Sequence, residues 1–124
     1  PASRVIMTLM KTIIKANHLY LTPSISEYIE MKIGSLDKFI KRFEDKGDVK
    51  VEVEIARTTR HHRHGNVFYA EANLYLGKHT LRAEHYGEDI RIAVDKIKDK
   101  LKQEIKKYKE KKIEIRQPNK KIAE

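Results

Sequence analysis

The sequence predicts an α+β fold: a β-α-β-β-β-α two-layer sandwich with two helices on one face of a four-stranded, mostly antiparallel sheet. Apolar residues recur every three or four positions over residues 25–43 and 90–108, which is the spacing of one helix face. Between these segments the period changes to two, as in half-buried strands. Because the later strands follow one another through tight turns, they should pair antiparallel, with both helices packed on the same side.

Composition limits the classes of protein that fit. The chain has 124 residues, which suits one domain, and its net charge is +9. It has no cysteine, so disulfides and thiolate metal sites are excluded. It also lacks an apolar run of about 20 residues and the apolar core of a signal peptide, so we expect a cytoplasmic protein. Such a positive charge favours a polyanionic partner, nucleic acid first and an anionic membrane second.

The N-terminal third predicts a strand followed by a helix. Residues 1–9 carry little pattern and are interpreted as a tail or an expression remnant. Residues 11–16 form a short segment with three β-branched side chains, which is typical of a strand. Thr22 and Pro23 then give a helix N-cap and first position. One apolar face continues through Ile25, Ile29, Ile33, Leu36, Phe39, Ile40 and Phe43. Gly34 lies inside this helix, which suggests close packing at that point.

Three strands follow the helix. Residues 49–56 and 68–76 alternate apolar and polar side chains, and a turn at Gly77-Lys78 leads into a short strand over 80–86. The second face of this sheet should be mixed in charge. It would carry Lys50, Glu52, Glu54, Tyr69, Glu71, Tyr75, Arg82 and Glu84.

A long amphipathic helix over residues 88–112 ends the pattern. Its apolar stripe is Ile90, Val94, Ile97, Leu101, Ile105 and Tyr108, and Glu88 and Asp89 would lie in its first turn, where the helix dipole favours acids. Residues 10–112 are therefore interpreted as a single domain. Residues 113–124 lose the pattern and are expected to form a flexible C-terminal tail.

The polar surface of this helix is strongly basic. Residues 91–112 hold ten Lys or Arg against four acids, a surplus of six positive charges. Lys98, Lys102 and Lys106 recur every four residues, which costs a few tenths of a kcal/mol per like-charged pair, although Asp95 and Asp99 could pair with Lys98 and Lys102. A solvated helix is the plain interpretation; the functional one is a surface that follows a phosphate backbone.

Residues 21–39 (LTPSISEYIEMKIGSLDKF), residues 81–111 (LRAEHYGEDIRIAVDKIKDKLKQEIKKYKEK) and the element order resemble the ribosome hibernation-promoting factor and ribosome-associated inhibitor family. This resemblance implies a fold like the double-stranded-RNA-binding domain and no enzymatic activity. It also implies binding of small-subunit rRNA at the decoding channel, which blocks mRNA and tRNA under stress. Arg82, the Asp95-Lys96 pair and residues 106–109 match the family pattern. A general binder of double-stranded or structured RNA is the alternative.

The predicted RNA-binding residues lie in the basic helix, one strand and one loop. They are Arg60, His62, Arg63, His64, Arg82, Arg91, Lys96, Lys98, Lys100, Lys102, Lys106, Lys107 and Lys109. The expected partner is the small ribosomal subunit and its rRNA, with no membrane, no small-molecule substrate and a monomer off the ribosome. On this resemblance we expect a short form of the family, without the separate C-terminal dimerisation domain of the long members.

Metal binding and catalysis fit the sequence poorly. His62 and His64 are too few for a zinc site and their arginine neighbours repel a divalent cation, so we expect no metal and no cofactor. Solvated loop or RNA contact are the other interpretations of this segment. No glycine-rich phosphate loop or nucleophile motif is present, so we expect no enzyme. Phe39, Phe43, Phe68 and Tyr108 are interpreted as core residues, and Tyr69 and Tyr75 as cross-strand or RNA contacts.

Overall fold

Four strands and three helices make up the described residues, 10–40, 49–58 and 67–116, of this computed structural model. In chain order they are β1 (Met10–Asn17), α1 (Pro23–Gly34), α2 (Asp37–Ile40), β2 (Val49–Arg57), β3 (Phe68–Leu76), β4 (His79–Gly87) and α3 (Ile90–Arg116). The predicted α+β architecture is confirmed.

The four strands form one mixed sheet in the order β1-β2-β3-β4. β1 and β2 are parallel because the connection between them passes through α1 and α2, whereas β2-β3 and β3-β4 are antiparallel. Val53, Ala72 and Ala83 stand opposite one another across β2, β3 and β4. Gly77 turns the chain between β3 and β4 with a φ of 61°, a left-handed conformation that glycine adopts at little cost.

α1 begins as the sequence predicts but ends earlier. The Thr22 hydroxyl oxygen accepts a hydrogen bond from the Ile25 amide at 3.2 Å, and Pro23 occupies the first helical position. The helix ends at Gly34, and α2 begins at Asp37. At the break, the Ser35 hydroxyl donates to the Lys32 carbonyl at 2.6 Å. The prediction of one continuous helix is therefore wrong.

The prediction of close packing at Gly34 is also wrong, since a Cβ placed there would meet no atom within 4 Å. The physical reason is its position as the last residue of α1, where no side chain or backbone of another element approaches within contact distance.

The core lies between the sheet and the helices. The inward residues of β2 and β3 are buried, as are Ile29, Ile33 and Ile40 of the first two helices and Leu36 between them. The α3 stripe docks on top: Ile90, Val94, Ile97, Leu101 and Ile105 are buried and Tyr108 packs against them. This stripe was predicted from spacing alone and is confirmed.

The ends of α3 differ from the prediction. Glu88 and Asp89 precede the helix, and Asp89 caps it by accepting the Arg91 amide hydrogen at 2.7 Å. At the other end the helix continues to Arg116, four residues beyond the predicted end. Residues 1–9 and 117–124, which include most of the predicted tails, lie outside the described residues.

Candidate nucleic-acid interface

α3 displays two rows of cations, one on each side of its buried stripe. We call the row nearer α1 and α2 the helix-side flank; it consists of Arg91, Lys98, Lys102, Lys106 and Lys109. The row nearer β4 is the strand-side flank, with Lys96, Lys100, Lys107 and Lys111. Contacts identify the two sides: Arg91 reaches Ser24 at 2.7 Å, whereas Lys100 reaches the Glu84 carbonyl at 2.7 Å.

Both flanks remain open to water after the apolar stripe has docked. Six of the lysines are exposed: Lys96, Lys100, Lys102, Lys106, Lys107 and Lys111. Lys98 and Lys109 are partly exposed, and Arg91 is exposed. Because these ammonium and guanidinium groups face solvent, they can contact an external anion without any rearrangement of the fold.

Few acids neutralise these cations within the described residues. Lys107 lies 3.5 Å from Glu104, and Lys98 lies 3.9 Å from Asp99. The predicted pairs Asp95-Lys98 and Asp99-Lys102 are not formed. Asp95 instead faces α1, where it accepts the Tyr28 hydroxyl at 2.6 Å and lies 3.7 Å from Lys32.

A ridge without positive charge separates the two flanks. The outermost line of α3 carries Ile92, Asp99, Gln103 and Glu110, all exposed. At about 100° per residue these positions fall opposite the buried stripe. The cations therefore form two separate tracks rather than one continuous basic face.

Lys100 differs from its neighbours because it is tied to the sheet. Its ammonium group donates to the Glu84 carbonyl on the outer edge of β4 and lies 3.5 Å from His85 Nδ1. Burial, followed by the charges of Lys100 and Lys96, lowers the pKa of His85 below its usual value. The environment of His85 thus favours its neutral form, and Lys100 is partly committed to covering an exposed strand edge.

Arg82 lies on the opposite face of the sheet, away from the α3 cations. Its guanidinium is 3.1 Å from Glu71 and 3.2 Å from Glu84, and it also donates to the Asn73 side chain. The hydrogen bond to Glu71 is the main cause of its raised pKa. The charge of Arg82 is therefore balanced by acids of the same sheet face, and the structure does not bring it together with the predicted RNA-binding residues of α3.

The tyrosines of this open face form cross-strand contacts. The Tyr69 hydroxyl donates to Glu71 at 2.7 Å and lies 3.0 Å from a carboxylate oxygen of Glu84, and Tyr75 donates to Glu52 at 2.8 Å. Burial and these bonds raise the pKa of Tyr69, and the bond to Glu52 raises that of Tyr75. The open face is thus mixed in charge, as predicted, and its charged groups are paired with one another, unlike those of the two α3 flanks.

The loop residues Arg60, His62, Arg63 and His64 lie outside the described residues. The chain enters and leaves this segment through Thr58 and Val67, which are joined by a backbone hydrogen bond of 2.6 Å. In the described residues no group of three or more His, Asp or Glu side chains is placed to hold a metal ion. Nor does any described helix combine the length and apolarity needed to cross a bilayer.

Sequence reasoning missed a basic groove between α2 and α3. Phe39, interpreted as core, packs against the core but also has the Lys102 ammonium 5.0 Å from its ring centroid and that of Lys109 at 5.9 Å. The sequence indicates this groove only weakly, because Phe39 lies at the margin of the apolar stripe that passes through Leu36 and Ile40. Only the break between α1 and α2 fixes which way it faces.

Comparison with known proteins supports the family resemblance. Residues 12–113 match the family described as Sigma 54 modulation protein / S30EA ribosomal protein. A ribosome hibernation promotion factor of Picosynechococcus sp. is 33% identical over 103 residues, which cover 82% of this chain and 50% of that protein. The protein of the same name from Lactococcus lactis subsp. cremoris is 32% identical, with the same coverage of 82% and 50%. The chain thus spans about half the length of these relatives.

Solved structures share the fold. The N-terminal domain of Thermus thermophilus Protein Y matches with a TM-score of 0.63 and 24% identity, over 80% of this chain and 99% of that one. A ribosomal subunit interface protein from Coxiella burnetii matches with a TM-score of 0.66 and 18% identity, over 81% and 98%. The family match and the curated relatives go further than the fold, and they show that this chain belongs to the Sigma 54 modulation protein / S30EA ribosomal protein family, which includes the ribosome hibernation promotion factors.

Proposed function

We propose that this protein is a ribosome-associated hibernation factor that binds the rRNA of the small subunit through the two flanks of α3. The observation that carries the proposal is the exposure of cations on both flanks with little internal neutralisation in the described residues. Such rows attract a phosphate backbone through charge and counterion release, without reading bases. The names of the relatives support the ribosome as the source of that RNA.

The proposed mechanism is occupancy. A folded body with a rigid, 27-residue helix fills a path lined by rRNA at the decoding region. Because the body holds its position through many phosphate contacts, it excludes mRNA and tRNA from the same space. The mechanism requires no covalent bond to be made or broken, so binding alone would silence the subunit.

The contributing residues are proposed by position. Arg91, Lys98, Lys102, Lys106 and Lys109 would contact one RNA segment, and Lys96, Lys107 and Lys111 another. The uncharged and acidic ridge between them would face the gap between the two segments. Arg82 contributes less because it lies on the opposite face of the sheet and pairs with both Glu71 and Glu84. Lys100 contributes less because its ammonium group is held by the Glu84 carbonyl of β4.

Sucrose-gradient fractionation tests the proposal. Wild type should migrate with small subunits, and changing Lys98, Lys102 and Lys106 to Glu should release it to the top of the gradient. A matched control changes Lys11, Lys15 and Lys78, which are exposed on β1 and the β3-β4 turn, to Glu and so gives the same net charge. Release of both variants alike would contradict a role specific to α3.

A competition experiment separates this function from general RNA binding. Excess mRNA and tRNA should displace the protein from small subunits, whereas an unrelated RNA duplex at equal phosphate concentration should not. Displacement by the duplex to the same extent would favour a general binder of structured RNA.

A further inference from the structure

The groove between α2 and α3 combines an aromatic floor with cationic walls. Its volume is about 500 Å³, within the range typical of small-molecule sites. Phe39 lines it from α2, and α3 contributes Asp99, Lys102, Gln103, Ile105, Lys106 and Lys109. The groove therefore presents apolar, hydrogen-bonding and positively charged groups within one concave surface.

Cations gather around the Phe39 ring. The ammonium groups of Lys102, Lys38 and Lys109 lie 5.0, 5.2 and 5.9 Å from its centroid. Contact with the ring face offsets part of their mutual repulsion. Neither Lys102 nor Lys106 has a carboxylate within 4.0 Å in the part of the chain that the structure describes. Asp99, the one acid among the described residues that line the groove, lies beside Lys98 instead, at 3.9 Å.

We propose that this groove is a nucleotide-binding slot in which the Phe39 ring stacks on a base while Lys102 and Lys106 hold the adjoining phosphate. A phosphate next to Lys102 draws its ammonium group off the ring, which leaves that face for the base. Base-aromatic stacking tolerates any base, and the Gln103 amide carries a donor and an acceptor for a base edge. The slot rests on the proposed function, since rRNA would supply the nucleotide, although a free nucleotide has the same chemistry.

This assignment distinguishes the groove from the rest of the helix-side flank. Elsewhere on the flank, binding would depend on phosphate charge alone. In the slot, loss of the ring should weaken the binding of RNA but not of a polyanion without bases. The difference between these two ligands is therefore the signature of the slot.

Two variants test it. Phe39→Leu keeps an apolar contact with the core but removes the ring, and Tyr20→Leu, at a residue 90% exposed on the β1-α1 connection, is the matched control. Fluorescence anisotropy with a single-stranded RNA oligonucleotide should show affinity about tenfold lower for Phe39→Leu and unchanged for Tyr20→Leu. Affinity for inorganic polyphosphate should be the same for all three proteins. Equal RNA affinity of wild type and a folded Phe39→Leu protein would overturn the slot.

A fluorescent reporter gives an independent readout. The chain contains no tryptophan, so Phe39→Trp introduces a single tryptophan, whose emission reports on the ring position. RNA should quench its emission and polyphosphate should not; equal quenching by both would contradict base stacking. Quenching by adenosine monophosphate would also support the slot and identify a free nucleotide as a possible source.

Failure of the slot and failure of the proposed function give different results. If wild type does not migrate with small subunits, the ribosomal function is wrong, whatever Phe39 does. If wild type migrates with them and Phe39→Leu does so with equal affinity, only the slot is wrong.

Discussion

At the scale of single residues, Asp95 shows that α3 uses some polar side chains to pack against α1 and leaves others exposed to solvent. Its carboxylate accepts the Tyr28 hydroxyl at 2.6 Å and lies near Lys32, so it joins α3 to α1 rather than neutralising its own helix. The hydrogen bond to Asp95 is the main reason that the pKa of Tyr28 is raised to about 12. The acid that the sequence assigns to Lys98 is thus used for packing, and Lys98 is left nearer Asp99.

Tyr28→Phe should lower the free energy of unfolding by about 1 kcal/mol, the usual value of one hydrogen bond, because Asp95 loses its donor. Since the folded state raises the tyrosine pKa from 10.0 to about 12, this stabilisation is fully present below pH 10 and is lost as the pH rises through 12. Urea unfolding at pH 7 and pH 11 measures it. Tyr20→Phe, which removes an exposed hydroxyl, should change nothing; equal losses in both variants would contradict the account.

From the sequence, the role of a residue could be predicted only where that role follows from the periodicity of a helix or a strand. The spacing identified the buried stripe of α3 because burial follows directly from helical geometry. It could not identify the partner of Asp95, because Tyr28 is 67 positions away and an acid three residues before a lysine is an equally reasonable pair. Long-range polar contacts of this kind depend on how two helices dock, which local pattern does not contain.

At the scale of elements, the break after Gly34 is the main departure from the predicted fold. Apolar residues at Ile33, Leu36 and Ile40 fit a continuous helix as well as two short ones, so spacing could not show the interruption. The hydroxyl of Ser35 bonds to the Lys32 carbonyl, which competes with regular helical bonding. This break has a consequence for the candidate site, because it sets the direction of α2 and so the position of Phe39 over α3.

Gly34→Ala should raise the free energy of unfolding by about 0.5 to 1 kcal/mol, because a Cβ meets no neighbour there and alanine loses less backbone entropy on folding. Gly77→Ala is the matched control: its Cβ also meets nothing, but its φ of +61° should make the change destabilising by about 1 to 2 kcal/mol. Chemical unfolding of both variants measures the difference. A destabilised Gly34→Ala protein would show that close packing exists at that position after all.

At the scale of the whole molecule, the two faces have opposite electrostatic designs. The open face of the sheet pairs its charges internally, through Arg82 with Glu71 and Glu84 and through Lys50 with Glu52. The helical face leaves most of its lysines exposed. Within the described residues, the surplus of exposed positive charge therefore lies mainly on the helical side, which gives the protein a defined direction of approach to a polyanion.

Much of this whole-molecule arrangement follows from the sequence. Alternation in β2 and β3 and the stripe of α3 fixed the layers, and the excess of lysine fixed the sign of the exposed helical surface. The groove at Phe39 did not follow, because it exists only where α2 and α3 meet. The single parallel pair, β1 with β2, was consistent with a mostly antiparallel sheet but was not assigned to particular strands.

The central claim is that the exposed α3 cations supply the affinity for rRNA. Its most direct test is the dissociation constant for purified small subunits between about 50 and 200 mM KCl at fixed Mg²⁺. With roughly six phosphates contacted, affinity should fall about a thousandfold over this range, and changing Lys98, Lys102 and Lys106 to Gln should make the log-log slope shallower by about 2 to 3. Binding that is insensitive to salt, or a slope unchanged by that triple substitution, would contradict the claim.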